Sequence, residues 1–195
     1  MCDTPLDSDV GAGPLMNQDL ETASRLLKEG GYNGETLILM DPTDIPVLHG
    51  ASLVTAQMLR KIGAKVEVQA MDWSTLTSRR AETKSIADGG WNIFHTYSTG
   101  ADVASPIANI GVSGGCVEEA WFGWPCDKTL EDLRDQFSRE SDPAKQVEIG
   151  IALQKRAYEV VPYVNYGQWF QPTAYRTSLK GVLISPVPFF WNIEK

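Results

Sequence analysis

Few residues in this chain are equipped for chemistry, and they gather in one stretch. Gly89 to Asp127 reads GGWNIFHTYSTGADVASPIANIGVSGGCVEEAWFGWPCD and holds three of the six tryptophans, one of the two histidines and two of the three cysteines. Nucleophilic catalysis needs a base beside a serine or cysteine, and only His49 and His95 offer an imidazole. His49 lies among apolar helical neighbours and reads as a partly exposed packing residue. Glu118 and Glu119 are adjacent in a loop and read as solvated. Neither G-x-G-x-x-G nor G-x-x-x-x-G-K-S/T occurs, so nothing cradles a phosphate. A metal site is disfavoured too, because no C-x-x-C is present and the histidines lie far from the cysteines. Asp102 is the isolated acid of an otherwise apolar, aromatic segment. Such residues suit holding a ligand better than transforming one.

Three cysteines are an odd number. Cys116 and Cys126 flank a short loop carrying Trp121 and Trp124. They read either as a disulfide worth about 2–3 kcal/mol for a loop of this size or as two unrelated small hydrophobes. Cys2 is then without a partner.

The formal net charge of −8 removes the basic face that nucleic acid would need. No apolar run approaches the ~18 residues of a membrane span. Met1 is followed by a turn-rich CDTPLDSDVGAGPL without the basic-then-apolar layout of a signal peptide, so the chain reads as starting in mid-protein.

The elements that must position these residues alternate. A helix capped by Asn17 or Asp19 runs to about Glu29 and stops at Gly30-Gly31. Glu35 to Met40 reads as a strand covered on both faces. A second helix follows from Asp44 and Pro46 to about Ile62, its buried stripe read as Ala51, Val54, Met58, Leu59 and Ile62. Lys65 to Met71 alternates like a strand with one wetter face. Asp72 caps a third helix, DWSTLTSRRAETKS, and Trp91 to Tyr97 reads as a buried strand. Helix, strand, helix, strand, helix, strand predicts an α/β fold with a mixed, mostly parallel sheet flanked by helices.

Next comes a long ordered loop with at most one helical turn, near Ser105 to Ile110, that Asp102 is placed to cap. Beyond Cys126, Leu130, Leu133 and Phe137 form one stripe. Asp142-Pro143 opens the longest helix, whose stripe is read as Ala144, Val147, Ile151, Gln154, Tyr158 and Val161. Tyr163 to Phe170 and Gly181 to Ile184 are strand candidates.

In this order the signals resemble the C-terminal lobe of the family 5 extracellular solute-binding proteins, the peptide- and nickel-type receptors of ABC importers. The resemblance rests on DLETASRLLKEGGYNGETLILM, AQMLRKIGAKVEVQAMDWSTL, GGWNIFHTYSTGADVASP and CDKTLEDLRDQFSRESDPAKQVEIGIALQKRAYEVVPYV, over about Asp19 to Val164. It implies a periplasmic-binding-protein-like (type II) lobe of a two-lobed receptor, periplasmic or cell-surface, that closes on its ligand by a hinge and serves ABC importer permease subunits. It implies no enzyme activity and no cofactor. It also implies that residues 1–18 link from a missing first lobe, that 19–170 form the second lobe, and that 171–195 return toward the first.

The resemblance gives site residues as well. In peptide-binding members an Asp in "Ala-Asp-x-x-x-Pro" pairs with the ligand's α-ammonium, and Ala101 to Pro106 carries that spacing, so Asp102 takes the role. Thr99-Gly100 replaces the usual aromatic before it and opens space. Tyr97, Thr99, Trp121 and Trp124 are the candidate lining, able to wall off peptide side chains or to stack on a sugar, opine, metal chelate or haem. A pair of cysteines framing a Trp-bearing loop is also a family feature, which implies the Cys116–Cys126 disulfide. The apolar tail, Val182 to Trp191, is expected to fold back on its own lobe or to pair with a second copy, giving a homodimer.

Overall fold

The computed structural model describes residues 4–185 and 187–195. The chain divides into two compact units. One is Gly13–Tyr97, an α/β unit. The other comprises the described residues of Met1–Ala12 together with Ser98–Lys195, and its regular elements are helices.

In the α/β unit the expected alternation is present: α1 (Leu20–Glu29), β1 (Thr36–Pro42), α2 (Pro46–Lys61), β2 (Lys65–Met71), α3 (Trp73–Arg79) and β3 (Ile93–Phe94). Strand order is β2-β1-β3 and both pairings are parallel, with Leu39 opposite Val68 on one side and Ile93 on the other. A parallel strand needs a crossover, and α2 and α3 lie in the two crossovers here. Ile38 to Pro42 are all buried, as an apolar strand covered on both faces must be, whereas β2 alternates in exposure.

Local chemistry sets the ends. The Asp19 carboxylate accepts the Thr22 N–H at 2.9 Å, and Asp72 does the same for Thr75 at 3.0 Å. Helix α1 ends in a Schellman arrangement: Tyr32 N–H donates to Leu27 O and Gly31 N–H to Lys28 O, with Gly31 at φ +90°.

Four sequence readings change, the first being the strand expected over Trp91 to Tyr97, which is confined to Ile93–Phe94 because β1 pairs with it only through Leu39 and Met40. Helix α2 starts one residue later, with Ile45 at the N-cap position, while Asp44 accepts the N–H of Trp73 at 2.8 Å and so braces α3. Its inward face is Leu48, Ser52 and Ala56, and Val54 is 60% exposed. The reading by hydrophobicity fails there because Ser52 is buried with its hydroxyl donating to Leu48 O, which satisfies it inside the core. The third helix stops at Arg79, whose guanidinium instead ties the following loop down, donating to Gln69 Oε1 and to the carbonyls of Gly89 and Gly90. Gly90 is required there, since a Cβ would collide with the carbonyls of Lys84 and Ser85.

The helical unit is built on α5 (Lys128–Arg139) and α6 (Pro143–Val160), preceded by the short α4 (Cys116–Glu119). Leu130, Leu153 and Val112 form its centre, joined by Leu133, Ala157 and Val160. On α5 the buried stripe is the expected one. On α6 it is rotated to Leu153, Ala157 and Val160, while Tyr158 lies beside Gly11 and Val161, at φ +49°, ends the helix exposed. The partner surfaces, α5 on one flank and residues 6–12 on another, decide which face is inward, and spacing alone does not contain them.

Tyr163 to Phe170 and Gly181 to Ile184 are not strands. A strand exists only where a neighbour takes its hydrogen bonds, and among the described residues neither segment has one. The tail closes on itself instead: Lys180 and Glu194 exchange backbone hydrogen bonds of 2.9 and 3.0 Å, and Asn192 Nδ2 donates to Gly181 O.

Candidate ligand-binding site

Tyr97, 49% exposed, is the last residue of the α/β unit, and the other candidate residues belong to the helical unit. There the structure brings Thr99 and Asp102 together in one turn. Asp102 N–H donates to Thr99 O at 3.0 Å, and the Asp102 carboxylate accepts the Thr99 N–H at 3.0 Å and hydroxyl at 2.9 Å. The carboxylate therefore points back along the chain and caps nothing at Ser105. Ser105 Oγ itself accepts the Ala108 N–H, and Asn109 caps the short 3-10 turn Ile110–Val112. Asp102 stays exposed, and among the described residues no basic side chain is paired to it.

Trp121 and Trp124 sit in a hairpin closed by the Cys116–Cys126 disulfide. Backbone hydrogen bonds from Cys116 to Pro125 and from Asp127 to Gly114 reinforce the neck. Trp124 N–H donates to Trp121 O at 2.8 Å, and the Trp121 and Phe122 rings lie 5.3 Å apart. Both tryptophans are half-buried. Gly114 is confined to glycine, because a Cβ would meet the Asp127 carbonyl. The disulfide implied by the resemblance is present; Cys2 lies outside the described residues.

Two charged clusters that hold the hairpin are not evident from sequence spacing. Asp127 caps α5 through Leu130 N–H and takes two hydrogen bonds from Arg156 on α6, at 3.2 and 2.6 Å. The Arg156 guanidinium holds the Asp127 carboxyl below its usual range. Glu131 on α5 accepts from Gly114 N–H (2.6 Å), Ser113 Oγ (3.1 Å) and Arg134 (2.8 Å). Burial alone would raise its carboxyl, but the Gly114 N–H and the Arg134 guanidinium outweigh that and lower it, so Glu131 is ionised at neutral pH. The only hint in the sequence was Glu131 and Arg134 at i, i+3.

Both histidines lie in the α/β unit and do structural work. His49 Nδ1 is 2.8 Å from Oδ2 of buried Asp41 at the end of β1. His95, 7% exposed just past β3, has Thr55 Oγ1 at 2.9 Å and Ser52 Oγ at 3.4 Å from its two ring nitrogens. Burial lowers the His95 pKa, and the Asp41 charge only partly reverses this. The unfolded chain then binds the proton better than the folded one. Stability is full above about pH 6.5 and falls as the pH drops below it toward the folded value. The melting temperature is thus expected to fall between pH 7.5 and 5.5, and His95→Gln to flatten that slope; an identical slope in both proteins would refute it. Among the described residues no set of three or more His, Cys, Asp or Glu is placed to hold a metal, and no helix is long and apolar enough to cross a membrane.

No family model matches the chain. A protein of Sinorhizobium fredii named "Probable peptide ABC transporter periplasmic-binding protein y4tO" is 35% identical over 177 residues, which are 91% of this chain and 33% of that protein. This match bears out the resemblance read from the sequence, to the C-terminal lobe of the family 5 extracellular solute-binding proteins. Solved structures of such solute-binding proteins share its fold. The substrate-binding protein CtaP of Listeria monocytogenes superposes with a TM-score of 0.65 at 18% identity, over 80% of this chain and 30% of that one. AgaA of Agrobacterium tumefaciens R10, solved with agropinic acid, gives 0.62 at 22%, over 74% and 29%. DppA of Helicobacter pylori, solved with the peptide STSA, gives 0.58 at 22%, over 75% and 28%. The chain thus spans about a third of the length of the solute-binding proteins it matches.

Proposed function

We propose that this chain is a ligand-binding lobe of an ABC-transporter substrate-binding protein that captures a small peptide or peptide-like solute for import. The observation that carries the reading is the 35% identity to the y4tO protein across 91% of the chain, Asp102 and the disulfide hairpin lying within a chain matched almost throughout. Asp102 is the anchor for the ligand's ammonium group, an exposed carboxylate with no basic partner among the described residues. Tyr97, Thr99, Trp121 and Trp124 supply the lining. The protein works in the periplasm or at the cell surface and delivers its solute to permease subunits. It performs no chemistry: the Ser52–His95 contact is sealed in the core, Ser52 being 0% exposed, so no substrate reaches that hydroxyl.

Native mass spectrometry of the complete natural protein as purified tests the solute class. A retained oligopeptide supports the reading. A retained opine, sugar, chelate or haem replaces it with the second reading, which the Thr99-Gly100 opening favours.

The tail supports a further part of the proposal, association of two copies. Ile184 is fully exposed, Phe190 is 74% and Trp191 79% exposed, a density of apolar surface that soluble monomers seldom leave in water. Light scattering is expected to show a dimer for the chain and a monomer after truncation at Phe170. Two equally soluble monomers would exclude this role for the tail.

A further inference from the structure

Helix α5 carries three ion pairs at helical spacing, and one behaves unlike the others. Lys128–Asp132 and Arg139–Asp135 are exposed on both sides, 84% and 53% in the first, 79% and 69% in the second, and neither pair reaches beyond the helix. Such exposed pairs contribute little to stability. Arg134 and Glu131 are 16% and 31% exposed, and each reaches a different loop. Glu131 holds Ser113 and Gly114, where the disulfide hairpin with Trp121 and Trp124 begins. Arg134 binds the Glu131 carboxylate at 2.8 and 3.0 Å and donates its Nε to Pro106 O at 3.1 Å. Pro106 ends the Ala101 to Pro106 segment that bears Asp102. Every other hydrogen bond of residues 98–106, among the described residues, goes to a near neighbour in sequence. Arg134 thus supplies the long-range hydrogen bond that ties the Asp102 segment to the rest of its unit.

We infer that Glu131 and Arg134 are positioning residues that clasp the two arms of the candidate ligand site, the Asp102 turn and the tryptophan hairpin, in one fixed relation. The inference rests on the proposed site. Neither residue touches the ligand; each acts through the loop it holds. The geometry requires arginine, because a single guanidinium both grips the carboxylate and spans to the Pro106 carbonyl, whereas a lysine ammonium has one point of charge and no fork. It also requires an ionised carboxylate, since one oxygen, Oε1, takes all three donors.

The test compares Arg134→Lys, Glu131→Gln and the control Asp132→Asn in the complete natural protein. Amide hydrogen exchange reads the loops, thermal melting reads the fold, and trialanine serves as the binding probe. Arg134→Lys keeps the charge beside Glu131, so Gly114 is expected to stay protected while residues 99–106 exchange faster and trialanine affinity drops about tenfold, the scale of one lost charged hydrogen bond. Glu131→Gln is expected to lose protection at Gly114 as well. Asp132→Asn should match wild type throughout. Arg134→Lys leaves the helix and its core intact, so a merely structural role would shift melting and leave the 99–106 exchange unaltered. Unchanged exchange in both loops, or unchanged affinity in the variants of a protein that binds trialanine, overturns the inference. A wild type that does not bind trialanine defeats the peptide reading instead, and exchange alone then decides the clasp.

Discussion

Asp102→Asn in the complete natural protein is expected to weaken binding of a free-amine peptide by about 2–5 kcal/mol, or at least about 30-fold in affinity. The magnitude separates two situations. An exposed ion pair contributes about 0–1 kcal/mol, whereas a pair taken out of water leaves a buried, unmatched charge when one member is removed. Asp102 is exposed and, among the described residues, no basic side chain pairs with it; in the proposed role a ligand ammonium pairs with it when the receptor closes and takes the pair out of water. Asparagine still accepts from the Thr99 N–H and hydroxyl, so the turn and the melting temperature should be preserved. Calorimetric titration with trialanine and with its N-acetylated form gives the discriminating comparison. Acetylation should weaken wild type by a similar factor and leave Asp102→Asn almost indifferent. Equal losses in both proteins would assign the ammonium to another partner.

Leu39→Ala is expected to destabilise the α/β unit by about 2–5 kcal/mol, the range for a buried leucine whose cavity does not collapse. Leu39 is 0% exposed at the middle of β1, paired on both sides, and the adjoining positions 38 and 40 to 42 are buried as well. Backbone pairing on both edges holds the strand in place, so its neighbours cannot close the gap. Since native domains retain only about 5–15 kcal/mol, a loss of this size is a large share of the total. Urea unfolding followed by circular dichroism would measure it. A change below about 1 kcal/mol would show that β1 is not the central support of its unit.

Much of this could be anticipated from residue order. Apolar Ile38 to Met40 between turn signals specified a strand buried on both faces, and the even alternation of Lys65 to Met71 specified one with a wet face. Asp19, Asp72 and Asp142 sat where a carboxylate satisfies the first free N–H groups of a helix, and each does. Caps, glycine stops and hydrophobic period are local properties, fixed within a few residues by sterics and hydrogen bonding. Parallel pairing followed because strands that alternate with helices are joined by crossovers, while the order β2-β1-β3 is a finding of the structure.

Where the reading changed, the deciding partner lay far away in sequence. Tyr163 to Phe170 has the composition of a strand, yet composition supplies no hydrogen-bond acceptor. The inward face of α2 turns on Ser52, which is core only because Leu48 O and His95, 43 residues on, satisfy it. The face of α6 turns on what packs against it. By itself the sequence determined the alternating helices and strands of the α/β unit, the two long helices that follow and most of their caps, together with the aromatic, cysteine-flanked stretch and its single isolated acid. Only the tertiary structure decided that the Asp102 carboxylate folds back on Thr99, that the two cysteines close a hairpin, and that Glu131 and Arg134 join both loops. Local signals come from neighbours along the chain, whereas a contact between residues 106 and 134 exists only once chain entropy has been spent to bring them together.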